Sequence, residues 1–283
     1  MSDVLDNETP DADPLKDLTP ILGNWAYEAG TINVRRITGI DGMPKVQMRL
    51  ELGVLQMEIT GRPDGVRPHG FESLLEFHNH RLTEHKQKIG DSEGFALSPA
   101  DCSQLREEAA MYYQRYLSLF VLGDFPAVVR DTSRNLRVLD MCGKFAVQEQ
   151  DKMLLEQYRP YIIMMRTRAA ASILFKDNKL NEALDIVREG LAQIRSFFDK
   201  FDHAEAFSRC EEAKALKRFA REIKRKMPVG QQERLERRLK KAIAAEQYEL
   251  AAKLRDELAA IQTDPSQANQ PQEQPAPPTA GGV

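Results

Sequence analysis

The sequence predicts a mainly α protein of the α+β kind. A small N-terminal β-hairpin or meander packs on a helical array, and an antiparallel helical hairpin follows at the C-terminus. Three patterns carry that expectation. Apolar residues alternate with period two between Ile32 and Ile59, the spacing of half-buried strands. From Ala100 to Met227 the period is helical throughout. Between residues 232 and 261 two short apolar seams flank only Ala245-Glu246-Gln247, and amphipathic helices joined so tightly lie antiparallel.

The chain has 283 residues, enough for one large domain or two to three small ones. With 42% hydrophobic and 29% charged residues it can bury a core. A net charge of −3 does not mark the whole chain as a nucleic-acid binder. No apolar run reaches the length of a membrane span. The acidic start lacks the basic and apolar stretches of a signal peptide, so a cytoplasmic location is expected. Cys102, Cys142 and Cys210 are far apart, without metal or redox spacing, and are expected to be reduced, buried thiols.

Residues 1–19 carry six acids against Lys16 and have little apolar surface to offset ordering entropy, so they are expected to be a disordered tail. Residues 263–283, rich in Pro, Gln and Gly, are expected to be another. Between them the reading places an α+β element over 20–97, a helical domain over 98–229 and a helical hairpin over 230–262.

A short helix around Ile21–Tyr27 leads in, with the single Trp25. Ile32, Val34 and Arg36 then alternate with Asn33, Arg35 and Ile37, and GIDGMP makes a turn in which Gly39 and Gly42 are able to take positive φ. Val46, Met48, Leu50 and Leu52 share one face. The apolar phase shifts after Gly53 to Leu55, Met57 and Ile59, which reads as a β-bulge in a bent hairpin, or as a third strand. So few strands are marginal in water, and one face must pack on helices. A turn-rich loop spans residues 61–70. A helix over Phe71–Lys88 carries the stripe Leu74, Leu75, Phe77 and Leu82. Ser98-Pro99 with Asp101 opens another.

Two helical stretches, 116–136 and 170–191, align at an offset of 55: Gly123-Asp124-Phe125 on Asn178-Lys179-Leu180, and Asn135-Leu136 on Gly190-Leu191. Each reads as helix, tight turn, helix. The unit resembles the tetratricopeptide helix pair, with a longer period and an incomplete aromatic signature, so the array is TPR-like. A final helix is expected to carry Phe201, Leu216, Phe219, Ile223 and Met227 on one stripe and to end at Pro228 and Gly230.

In the C-terminal hairpin, Leu235, Leu239, Ala242 and Ile243 form one seam, and Tyr248, Ala251, Ala252, Leu254, Leu258 and Ile261 the other. The string Ala251-Ala252 followed by Leu254-Arg255-Asp256-Glu257-Leu258, with Tyr248-Glu249 before it, resembles the UVR motif. That motif belongs to the B and C subunits of the bacterial UvrABC excision nuclease and to some Clp ATPases and McsA-type kinase activators. Tyr248 stands where the family often has Phe. The resemblance implies protein–protein association, with a Clp ATPase, with an excision-repair subunit or with a second copy. In that reading Leu235, Leu239, Tyr248, Ala251, Leu254 and Leu258 form the partner-binding surface. Tyr248 and Leu254 anchor it, and Arg255 and Asp256 set the pairing through charge-assisted bonds. The alternative is that these residues only close the hairpin.

Residues 214–241 hold twelve basic residues against three acidic ones, an excess of nine. Lys217, Arg218, Arg221, Lys224 and Arg225 are candidates for contact with nucleic acid or an acidic partner. A plain solvated face is the other reading. Arg62, Asp64, Arg67 and His69, in a loop stiffened by Pro63 and Pro68, are candidates for holding a carboxylate or phosphate. The alternative there is local Arg62–Asp64 pairing. His78, His80 and His85 lack the i, i+4 histidine pairing of helical zinc sites and are expected on a polar surface. No phosphate-cradling glycine motif, Ser–His–Asp cue or carboxylate pair stands out. The expected function is therefore a non-catalytic adaptor without cofactor, and the alternative is an accessory excision-repair or nucleic-acid-binding protein.

Overall fold

A computed structural model describes residues 17–227 and 231–263. Both expected tails lie almost wholly outside the described residues, as do Pro228 and Gly230. The chain divides into two compact units, Met1–Arg225 and Lys226–Val283.

The first unit opens with one helical turn, α1 (Thr19–Leu22), shorter than the helix expected to reach Tyr27. Three antiparallel strands follow in the order β1 (Val34–Thr38), β2 (Pro44–Arg49) and β3 (Val54–Glu58). The phase shift at Gly53 is not a bulge. Leu50 N–H donates to the Gly53 carbonyl at 2.9 Å, and the chain reverses there into a third strand. Leu50 and Leu52 fall in that turn and are exposed. Of the two turn glycines before β2, Gly42 takes positive φ and Gly39 does not.

The register pairs Val46 with Met57 and Met48 with Leu55, which collects the buried apolar side chains of the sheet, Val46, Met48 and Met57, on one face. The opposite face is a polar ladder. Arg35 Nε donates to Gln47 Oε1 and Gln47 Nε2 to Gln56 Oε1, each at 2.8 Å. The Arg35 guanidinium lies 4.1 Å over the Trp25 ring, and Lys45 bonds both Asp41 and Glu58. A one-residue slip would turn this ladder into the core, so the alternation fixes the register.

The helices are α2 (Leu74–Ile89), α3 (Pro99–Val121), α4 (Phe125–Phe145), α5 (Glu149–Leu154), α6 (Arg159–Lys176), α7 (Leu180–Lys200) and α8 (Glu211–Lys226). Ser73 caps α2, and Ser98 with Asp101 forms a reciprocal capping box on α3. The last stripe is shorter than expected, because Phe201 ends α7 and a 3-10 segment, Ala204–Ser208, separates it from α8.

Helix α4 packs on both α3 and α6, and α6 on α7, giving a layered antiparallel array. The two aligned helix pairs turn in the same way. Gly123 and Asn178 both have positive φ. The next N–H, of Asp124 or Lys179, reaches back to the carbonyl of Leu119 or Leu174 at 2.9 Å. The pairs differ in their interior. Asn135 Nδ2 donates to the Ala109 carbonyl of α3 at 2.9 Å. At the aligned Gly190, a Cβ would sit 2.2 Å from Thr167 Oγ1, so α6 and α7 are in close contact there.

One side chain joins sheet and helices. Arg115 of α3, fully buried, donates Nε and Nη2 to the Asp131 carboxylate of α4 at 2.7 and 2.9 Å. Its Nη1 donates to the carbonyls of Glu58 and Gly61 at 2.9 and 2.8 Å. Arg130 adds a bond from Nη2 to the Ile59 carbonyl at 2.8 Å. The chain leaving β3 is thus held at three carbonyls within four residues.

Two outcomes are expected in urea unfolding. Asp131→Ala removes the counter-charge of a buried guanidinium and lowers stability by about 3–5 kcal/mol. Adding Arg115→Met restores part of that loss, not all, because the Glu58 and Gly61 carbonyls then lack their donor. In the turns, Gly123→Ala lowers stability by about 1–2 kcal/mol, whereas Asn178→Gly raises it by up to about 1 kcal/mol. A Cβ at 123 meets only ordinary contact distances, so that cost is one of backbone conformation.

Candidate protein-interaction site

The second unit is a hairpin of α9 (Gln231–Ala244) and α10 (Tyr248–Thr263). Its turn repeats the geometry of the helical array: Glu246 has positive φ, and Gln247 N–H donates to the Ala242 carbonyl at 2.9 Å. Leu235, Ala242, Ala251, Leu254 and Leu258 form one apolar cluster, with Leu239 packed against it.

Of the residues expected to face a partner, Leu235, Ala251, Leu254 and Leu258 are therefore buried in the hairpin's own seam. Leu254, expected as an anchor, is 2% exposed. Their spacing suits both roles in sequence, and antiparallel closure turns them inward. Tyr248 is different: it is 69% exposed, and Ile243 and Leu250 are exposed beside it in sequence. Ile243 leaves the seam to which its spacing assigned it, since it lies one residue past Ala242. Arg255 and Asp256 are both exposed and bond each other at 3.0 Å. The exposed apolar residues thus gather within one helical turn of the 245–247 loop.

In α8, Ala213, Leu216 and Ile223 are buried, while Lys217, Arg218, Arg221, Lys224 and Arg225 are all exposed. The basic stretch 214–241 falls across the two units, so its excess charge is not one described surface. Lys217 Nζ lies 5.0 Å over the Phe207 ring.

The 61–70 loop does not gather its two arginines. Arg62 turns inward, with Nε 3.1 Å from Asp64 and 3.6 Å from the fully buried Glu108. Glu108 also accepts from Leu74 N–H at 2.8 Å and pairs with Arg134. Burial pulls the Arg134 guanidinium down to about 9. Arg67 is exposed and reaches the Gly70 carbonyl at 3.4 Å. His69, with φ of 51°, stacks on Phe77 at 4.1 Å. Arg62 and Asp64 therefore take the local pairing as well as an inward bridge that sequence distance concealed.

The histidines also scatter. His80 faces Glu84, and His85 Nε2 lies 2.6 Å from the Glu93 carbonyl. His78 corrects the polar-surface expectation, because it is 1% exposed. Among the described residues no cluster of three His, Cys, Asp or Glu is placed to hold a metal. Cys102, Cys142 and Cys210 are free and buried, as expected. Burial pushes the Cys142 thiol up to about 12, with neighbouring Cys102 adding to it.

Sequence reading also missed a recess of about 640 Å³ lined by Tyr113, Tyr116, Tyr158 and Tyr161. The signal was present as two tyrosine pairs at i, i+3, on α3 and at the start of α6. Their convergence was not readable without the helix packing.

Residues 230–264 match the family model described as the UvrB/uvrC motif, UVR. The C-terminal hairpin is therefore a UVR motif. The match covers a small part of the chain and does not extend to the tetratricopeptide-like helix pairs. No curated protein and no solved structure matches the chain. No helix among the described residues is long and apolar enough to cross a membrane.

His78 gives a pH-dependent expectation. Arg81 Nη1 lies 3.0 Å from Nδ1, and Asp101 lies 4.0 Å from Nε2. Burial holds the imidazole below its ordinary value against the pull of Asp101, while Arg81 and His69 lower it further. The unfolded chain then binds a proton that the folded chain refuses. Stability should be level above about pH 7.5 and fall as pH drops below about 6.5. Urea midpoints at pH 7.5 and 5.5 should differ less in His78→Gln than in the parent.

Proposed function

We propose that the chain is a non-catalytic interaction protein whose UVR hairpin recruits a second protein. One observation carries this reading. The segment that matches the UVR motif closes its own seam, yet leaves Ile243, Tyr248 and Leu250 in water around its turn. A protruding tyrosine flanked by aliphatic side chains is the composition of an interface anchor. Arg255 and Asp256, exposed on α10, supply directional pairing at its margin. UVR motifs mediate protein association, and by resemblance the partner is a Clp ATPase, an excision-repair subunit or a second copy of the chain.

A second reading rests on the exposed basic residues of α8, which would bind nucleic acid or an acidic protein through Lys217, Arg218, Arg221, Lys224 and Arg225. The two readings respond oppositely to salt. Hydrophobic docking persists at moderate ionic strength, and phosphate contacts weaken steeply.

In affinity capture with the full chain, nuclease present and moderate salt, a protein partner should be retained. Ile243→Ala with Tyr248→Ala should weaken its binding by at least about tenfold, about 1.4 kcal/mol, while neutralising Arg221, Lys224 and Arg225 leaves it unchanged. The reverse pattern favours the basic helix. Both variants keep the hairpin seam, so far-UV circular dichroism should match the parent.

A further inference from the structure

The recess beneath α3 is built to hold something. Ala109 and Ala110 line it with side chains too small to fill the space, and about 640 Å³ remains open, within the range of small-molecule sites. Its other apolar walls are aliphatic, from Leu139, Leu154, Leu155 and Ile162, and aromatic. The Tyr113 ring stands at 86° to Tyr116, 5.5 Å away, and at 60° to Tyr161, 6.1 Å away. Three rings so angled turn their faces and edges in different directions around one corner. Half-exposed Tyr158 stands over the opening.

The polar groups of the wall are unequal. Arg106 is neutralised by Asp151 at 2.7 Å. Asn135 accepts from Arg134 and donates to the Ala109 carbonyl. Gln157 donates to the Leu154 carbonyl. Glu212, brought in by α8, accepts only the Cys210 thiol, at 3.1 Å, and pairs with no cation among the described residues. Burial pushes the Tyr161 phenol up to about 12, with Tyr113 and Glu212 adding to it and Arg168, outside the wall, opposing it. The Tyr161 phenol therefore stays neutral, and the one unbalanced charge of the wall is negative.

We propose that this cavity binds a small organic cation with an apolar body, an alkylated or aromatic ammonium. Its positive centre would lie against the faces of Tyr113 and Tyr161 with Glu212 as counter-charge. A cation within about 6 Å of a ring centroid is attracted by the ring quadrupole, more strongly once desolvated. An anionic ligand would meet Glu212 and find Arg106 already engaged. A neutral apolar ligand would gain burial alone.

The test compares two probes of one shape on the full chain. Benzyltrimethylammonium carries the charge, and neopentylbenzene replaces its nitrogen by carbon. Titration followed by ligand-observed NMR should show the cation binding about tenfold tighter. Glu212→Gln should reduce that preference to about threefold or less without changing the affinity of the neutral probe, which reports an intact cavity. Tyr161→Leu should weaken the cation more than the neutral probe. Equal affinities, a preference for the neutral probe, failure of both to bind at millimolar concentration, or a preference untouched by Glu212→Gln would each overturn the proposal.

Discussion

Arg115 carries its charge away from solvent, and each group it touches belongs to a different part of the chain. Its guanidinium spans the Asp131 carboxylate on α4 and two carbonyls at the exit of β3. A guanidinium out of water is stable only when its donors are occupied in the right plane. Helix α3, helix α4 and the end of the sheet must therefore be in place together. The sheet is too small to stand alone. Its apolar face gives adhesion without direction, and the arginine gives direction. The neighbouring bridge of Glu108 with Arg134 and Arg62 repeats the arrangement, tying the loop after β3 to α3 and α4. Two buried ionic bridges thus sit where the helices meet the sheet and the loop that leaves it.

The helical part is organised by repetition. Three turns, centred on Gly123, Asn178 and Glu246, share a left-handed residue and the same backward hydrogen bond. Two belong to the array and one to the UVR hairpin. Only the first uses glycine, so the other two accept conformational strain that packing of the flanking helices must outweigh. The hairpin is assembled by the same local rule as the array.

Much of this was legible in the chain. Alternation gave the strands, the helical period gave the array, and the short interval 245–247 gave the hairpin. What sequence misjudged was direction. A shift of apolar phase fits a bulge or a reversal equally well, and only the bond from Leu50 to Gly53 distinguishes them. Leu254 fits a seam or an interface equally well, because both demand an apolar side chain at helical spacing. The inward bridge of Arg62, the burial of His78 and the tyrosines of the recess were misread or missed for a different reason. Their partners Glu108, Asp101 and Glu212 lie on other helices, at separations no periodicity encodes.

The contact between α6 and α7 constrains the history of the molecule as well as its shape. Position 190 has no room for a methyl group while Thr167 lies against it. Bulk can enter at one position only if it leaves the other, and the aligned pair of helices meets the same need differently, through Asn135. Descendants of this chain are therefore expected to change positions 167 and 190 jointly, in the order large-to-small first. Lineages that gain a side chain at 190 before trimming 167 should be rare.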